Sequence, residues 1–244
     1  MVIAGFAILS AAVPAAAQYC NPRNFAGAFG FQLSGTTTIS GAPKPVASMG
    51  RMEFDGRGAV SGTSSVNFDG FLLGNPVTGT YEVRGDCTLS WNLQDDSGGF
   101  QHFTGKLNSD MDRATFRQTD RGGANNGTLV RLARVCTPAV LQGSYQFSMS
   151  GVIRAMDGSP EVSKVSLNGV IAIDPAGNLA LLRDGAAVNA GTLTVDNDCI
   201  VNADFSSVPG EHIKLRGVLV SGGKEILAIG SDPGAAVNAR FRLK

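Results

Sequence analysis

Aromatic rings, histidine and charge are all scarce in this chain. Its 244 residues include one Trp, three Tyr and two His, and charged residues make up 16%, against a usual ~25%. Twenty basic side chains balance twenty acidic ones, and dividing the chain uncovers no hidden module: residues 18–134 carry a net +1 and residues 136–244 a net −1. A nucleic-acid binder working through bulk positive charge is excluded on that ground. The two histidines, His102 and His212, are 110 residues apart, and the four cysteines are spaced by 67, 49 and 63 residues. No CxxC or CxxH metal pattern results, so neither a metal site nor a cofactor is expected. The glycine-rich pieces Gly27-Ala28-Phe29-Gly30 and Gly217–Gly223 lack the Lys-Ser/Thr of a phosphate loop, and there is no Asp-x-Asp-x-Asp calcium run.

One long apolar run is present, at the start. Met1–Ala17 is apolar almost throughout and ends in Ala15-Ala16-Ala17 before Gln18, small residues where a signal peptidase reads them. It reads as a secretory signal, with a short membrane anchor as the other reading, and nothing later approaches a membrane-spanning helix. Four cysteines remain after cleavage, and an even number in an exported chain reads as two disulfides in a periplasmic or extracellular protein.

The 32 glycines recur in a pattern that exposes an internal repeat. Cys20, Gly27, Phe29, Phe31, Leu33 and Gly35 return as Cys136, Gly143, Tyr145, Phe147, Met149 and Gly151, each pair 116 apart. After a three-residue insertion, Gly50, Phe54, Asp55 and Gly58 match Gly169, Ile173, Asp174 and Gly177. After a seven-residue deletion, Gly79-Thr80-Tyr81, Val83 and Asp86-Cys87 match Gly191-Thr192-Leu193, Val195 and Asp198-Cys199, and the offset then stays at 112 through Asp120 and Asp232 to Asn126 and Asn238. The expected organisation is a signal peptide over 1–17, a first repeat over 18–134 and a second over 135–244. Sequence alone allows three disulfide connectivities. Because each copy holds one cysteine at its start and one after the Gly-Thr segment, the simplest pairing is Cys20 with Cys87 and Cys136 with Cys199.

Strict alternation of apolar and polar residues marks half-buried strands in Phe29–Ser34, Leu89–Gln94, Tyr145–Ser150, Val165–Leu167, Ile213–Arg216 and Phe241–Leu243. Turn signals separate such runs: Asp55-Gly56, Asp69-Gly70, Asn126-Gly127, Pro175-Ala176-Gly177, Asp184-Gly185 and Ser221-Gly222-Gly223. Copy two divides into strands near 141–150, 164–174, 178–183, 187–195, 198–205, 211–220, 224–230 and 237–243. No helical stripe competes. The fold class is therefore all-β, two tandem antiparallel meanders, each expected to close into a barrel that hides its edges. An open sandwich fits the same connections. A single sixteen-stranded membrane barrel fits the strand count but lacks two aromatic girdles.

Gly27-Ala28-Phe29 and Gly143-Ser144-Tyr145 on the first strand of each copy, with Arg131 and Arg242 on the last, resemble the lipocalin or calycin pattern. That family has Gly-x-Trp there, and the resemblance implies that the arginine packs across the ring. The repeated Gly-x-Tyr-x-Val-x-x-Asp-Cys segment is also similar to exported bacterial β proteins to which no activity is attached.

No catalytic residue is expected. His102 aligns with Lys214 and neither histidine sits beside a nucleophile motif, so both read as surface residues. Asp55, Asp174, Asp86 and Asp198 sit in turns that aspartate supports through its own side chain. Asn126-Gly127-Thr128 fits a glycosylation acceptor and equally a hairpin turn. The remaining functional feature is the barrel interior. Phe31, Leu33, Tyr81, Trp91 and Leu93 in copy one, with Phe147, Met149, Ile171 and Leu193 in copy two, would line any void and hold a small hydrophobic molecule; otherwise they fill the core. Ala172, Ala180 and Ala203 point to copy two as the roomier one. Two functions follow: a non-catalytic exported carrier, or a structural or adhesive envelope protein with filled barrels. An isomerase or cyclase on a barrel stands third.

Overall fold

The computed structural model describes residues 19–39, 41–68, 71–154, 162–183, 186–205 and 213–244. The expected signal segment, His212 and the turns expected at Asp69-Gly70 and Asp184-Gly185 lie outside them. Sixteen strands follow in chain order. The first eight are β1 (Gly27–Ile39), β2 (Ala42–Phe54), β3 (Ala59–Phe68), β4 (Phe71–Val83), β5 (Thr88–Asp95), β6 (Phe100–Leu107), β7 (Arg113–Gln118) and β8 (Gly123–Arg131). The second eight are β9 (Gly143–Arg154), β10 (Val162–Ile173), β11 (Asn178–Arg183), β12 (Ala186–Val195), β13 (Ile200–Asp204), β14 (Lys214–Val220), β15 (Glu225–Gly230) and β16 (Ala235–Leu243). Each set forms an antiparallel meander that closes on itself, β1 pairing with β8 and β9 with β16. Two separate closures dispose of both the sandwich and the sixteen-stranded ring, and leave no free edge in either sheet.

The repeat survives at the level of single hydrogen bonds. Asp120 accepts the His102 backbone N–H at 2.8 Å, and Asp232 accepts the N–H of the aligned Lys214 at 2.6 Å. Asp55 accepts from the Arg57 and Ala59 N–H groups, as Asp174 does from those of Ala176 and Asn178. Disulfides join Cys20 to Cys87 and Cys136 to Cys199, with Cα atoms 4.9 Å apart in both. Cys87 and Cys199 share the same left-handed backbone, φ 68° and 64°.

Two expectations are corrected by register. Asn126-Gly127 is not a turn: it lies inside β8, where Gly127 pairs with Phe116. A Cβ at Gly127 would strike both the Phe116 ring and the Gln32 backbone carbonyl, so the glycine lets an inward ring and the neighbouring strand approach the wall closely. The arginine of the second copy also differs. Arg131 pairs with Phe29 and sets its guanidinium 4.6 Å from the ring centroid, as the resemblance implied. The residue opposite Tyr145 is Leu243, and Arg242, one position earlier, projects to the other face and meets Glu225 at 3.3 Å. A shift of one residue in a strand reverses the side chain.

One end of the first barrel is sealed by rings. Phe25, Phe29, Phe54 and Tyr81 contact one another with centroids 4.9–5.7 Å apart, and the Tyr81 hydroxyl donates to the Phe25 carbonyl. Such pairs add about 0.5–1.5 kcal/mol each beyond burial. In the second barrel Phe147, Phe205 and Phe241 pack in the middle of the core, while Tyr145 is fully buried and donates to the Gly223 carbonyl.

The barrels are docked wall to wall. Ala47, Met49 and Val130 on the outer face of the first meet Ile200, Val218, Val220, Leu227 and Ile229 on the outer face of the second, all buried. Gly30 permits this approach, since a Cβ there would collide with Val218 and Val220. Buried amides stitch the seam: Gln32 donates to the Ala228 and Ala239 carbonyls, and Asn67 to those of Gly230 and Asp232. Glu225, buried on β15, receives Arg113 from the first barrel together with Arg240 and Arg242.

Candidate functional site

Strand pairing decides what each barrel presents inward. On β5 the inward positions run Trp91, Leu93, Asp95 from the middle to the rim, and Leu93 and Asp95 pair with Gly79 and Val77 of β4. On β1 the same face carries Phe31, Leu33 and Thr37; on β2, Met52, Ser48 and Val46; on β7, Phe116 and Gln118. These side chains enclose a cavity of about 290 Å³ between the ring plug and the opposite end of the barrel. That is close to the lower edge of the ~300–1,000 Å³ of small-molecule sites.

The lower walls are aromatic and the upper ones polar. Trp91 stacks on Phe103 at 5.2 Å and meets Phe116 edge-on at 4.9 Å. The indole is 4% exposed, and its N–H has no hydrogen-bond partner among the described residues. A buried donor left unpaired costs about 1–3 kcal/mol. Nearer the mouth, the Asn125 amide donates to Thr37 at 3.2 Å and to Gln118 at 2.6 Å. Asp95 ends the inward row of β5. Its Oδ1 accepts from the Ser97 hydroxyl and from the Ser97 and Gly99 N–H groups, and these bonds, the Ser97 hydroxyl foremost, hold the carboxyl below the usual range and therefore ionised. Beyond the rim the β3–β4 hairpin continues the apolar surface: Phe71 pairs with Phe68 and Leu73 with Val66, yet Phe71 is 65% and Leu73 47% exposed.

Of the residues singled out from sequence, Phe31, Leu33, Trp91 and Leu93 line this cavity. Tyr81 is part of the ring plug beneath it. Phe147, Met149, Ile171 and Leu193 are buried together in the core of the second barrel. The alanine argument for a roomier second copy fails on orientation. Ala172 and Ala180 pair with each other between the buried Ile171, Ile173 and Leu179, so they stand on the outer face and take no volume from the interior; Ala203 alone of the three is in the core. Sequence reasoning missed Asp95, Asn125, Gln118 and Phe103. Asp95 was legible as the continuation of the Leu89–Leu93 alternation, whereas Asn125 and Gln118 belong to strands whose pattern is too polar to show a face. His102 is on the outer wall, its Nδ1 2.7 Å from Asp120.

No protein-family model matches the chain, and no curated protein matches it. Among solved structures it is similar to the isotype 1 transferrin binding protein B from serogroup B Neisseria meningitidis, with 6% identity and a TM-score of 0.33 over 89% of this chain and 75% of that one. It is also similar to a mutant of the vaccine antigen transferrin binding protein B from Haemophilus parasuis Hp5, with 9% identity and a TM-score of 0.28 over 88% and 75%. At those scores the likeness carries no argument, and the two barrels rest on their own strand order.

Proposed function

We propose that this is an exported, non-catalytic binding protein whose first barrel encloses a small, largely apolar molecule. One observation carries the reading: a cavity of about 290 Å³ walled by Phe31, Trp91, Phe103 and Phe116. A small molecule with an apolar body and one polar end fits it. The polar groups above it are amides and hydroxyls, suited to orienting a guest, and the one carboxylate is held ionised. Two disulfides support an extracellular or envelope setting. Among the described residues no helix is long and apolar enough to cross a membrane.

A structural or adhesive role is the second reading, favoured by Phe71, Leu72 and Leu73 on the exposed hairpin. Trp91 is the sole tryptophan, so its emission reports the cavity directly. The test joins native mass spectrometry of the exported protein, before and after organic extraction, to titration of the extracted protein with 1-decanol. The carrier reading expects a co-purifying small mass or a saturable change in Trp91 emission. Neither appearing overturns it in favour of the surface role.

A further inference from the structure

The charge of the guest is written into the same cavity, and this inference rests on the carrier reading. Asp95 is the sole charged side chain among the described lining residues. Its Oδ1 is occupied by the Ser97 and Gly99 donors, while its Oδ2 accepts no hydrogen bond among the described residues. The neighbouring Asp96 and, behind Gln118, Asp120 add negative charge at that end of the barrel. The cations there stand outside the lining: Lys44 occupies the inward position beyond Val46, paired in register with Thr37 and engaged in an interaction of its own, and Arg121 is exposed in the β7–β8 turn. Below the rim the walls are aromatic rings, whose faces attract cations.

A carboxylate amphiphile entering this barrel would place its charge beside Asp95 with no counter-ion in the lining. Like charges held side by side at that mouth repel. An ammonium at the same depth would gain the free Oδ2. We infer that the first barrel selects small apolar amines or ammonium compounds and rejects fatty-acid-like anions.

Three probes of equal chain length test this on the solvent-extracted full-length protein below their micellar concentrations: decyltrimethylammonium, 1-decanol and decanoate, each read by Trp91 emission. The expected order is ammonium tighter than decanol tighter than decanoate, with about tenfold or more between the two ions. Asp95→Asn keeps an oxygen for the Ser97 and Gly99 donors and should shrink the ion ratio to about 1–3-fold, with decanol as the reference for any change in the cavity itself. Decanoate binding as tightly as the ammonium, or an ion ratio unaltered in Asp95→Asn, overturns the inference while leaving the carrier reading intact. No response to any of the three removes the carrier reading, and the inference with it.

Discussion

Replacing Glu225 with glutamine removes a buried negative charge at the seam between the barrels while keeping shape and volume. The carboxylate is 5% exposed, receives the Arg113 guanidinium from the first barrel, and is 3.3 Å from Nε of both Arg240 and Arg242. Breaking a buried pair by neutralising one partner costs about 3–5 kcal/mol, because the other charge stays buried without compensation. The three arginines do not suffer equally. Arg242 is 58% exposed and Arg113 32%, so both recover water, whereas Arg240 is 24% exposed and also donates to Thr128 across the seam. That discount puts Glu225→Gln at the lower end, about 3 kcal/mol. For a chain of this size each kcal/mol moves Tm by about 2–4 °C, so the melting point should fall by about 6–12 °C. Thermal unfolding followed by circular dichroism measures it, with Arg242→Gln as the control. That control removes a solvent-facing charge and should cost no more than about 1 kcal/mol. Glu225→Gln melting within about 1 °C of the parent, or Arg242→Gln as damaging as Glu225→Gln, would refute the claim that burial sets the cost.

Gly127→Val puts a branched side chain where the Phe116 ring lies on the wall. It should push Phe116 toward Trp91, cost about 1–3 kcal/mol in chemical denaturation as an overpacked core, and weaken decanol binding; unchanged Trp91 emission in the variant would contradict the ring placement. Acid should destabilise the protein late. The Thr88 backbone N–H, then its hydroxyl and Lys106, lower the Asp86 carboxyl to about 2, and hydrogen bonds also lower Asp55, Asp95 and Asp174. A carboxyl depressed in the folded state contributes stability that is complete above its unfolded pKa of ~4 and is lost as pH falls through the folded value. Tm should therefore be flat from neutral to about pH 5 and drop between about pH 4 and 2. A decline that sets in above pH 5.5 would show that these turns do not govern acid unfolding.

Barrels and strands were legible because the signals that encode them are local. Alternation with period two in Phe29–Ser34, Leu89–Gln94 and Tyr145–Ser150 states which face is inside, and Asp55-Gly56 and Pro175-Ala176-Gly177 state where the chain reverses. The repeat doubled that information and placed all eight strands of the second copy within a few residues of where they lie. Local signals misled where a residue served a distant neighbour. Asn126-Gly127 has turn chemistry, but its glycine answers to a ring on the adjoining strand, and Arg242 has the right identity one register position too early.

The seam was written in the sequence without being readable as a seam. Val218-Leu219-Val220 and Ile226-Leu227-Ala228-Ile229 are apolar on both faces, which a single barrel wall does not require. That pattern announces a second buried surface and cannot say what covers it. Gly30, Gln32 and Asn67 acquire meaning only once the opposing wall is in place, because a close approach and a shared hydrogen bond belong to two segments at once. The cavity is decided in the same non-local way. Its volume is what remains after the inward rings have chosen whether to plug the end, as Phe25, Phe54 and Tyr81 do, or to lie along the wall, as Trp91, Phe103 and Phe116 do. Composition and order along the chain determine that these rings point inward; the space they leave for a guest is set by how they meet.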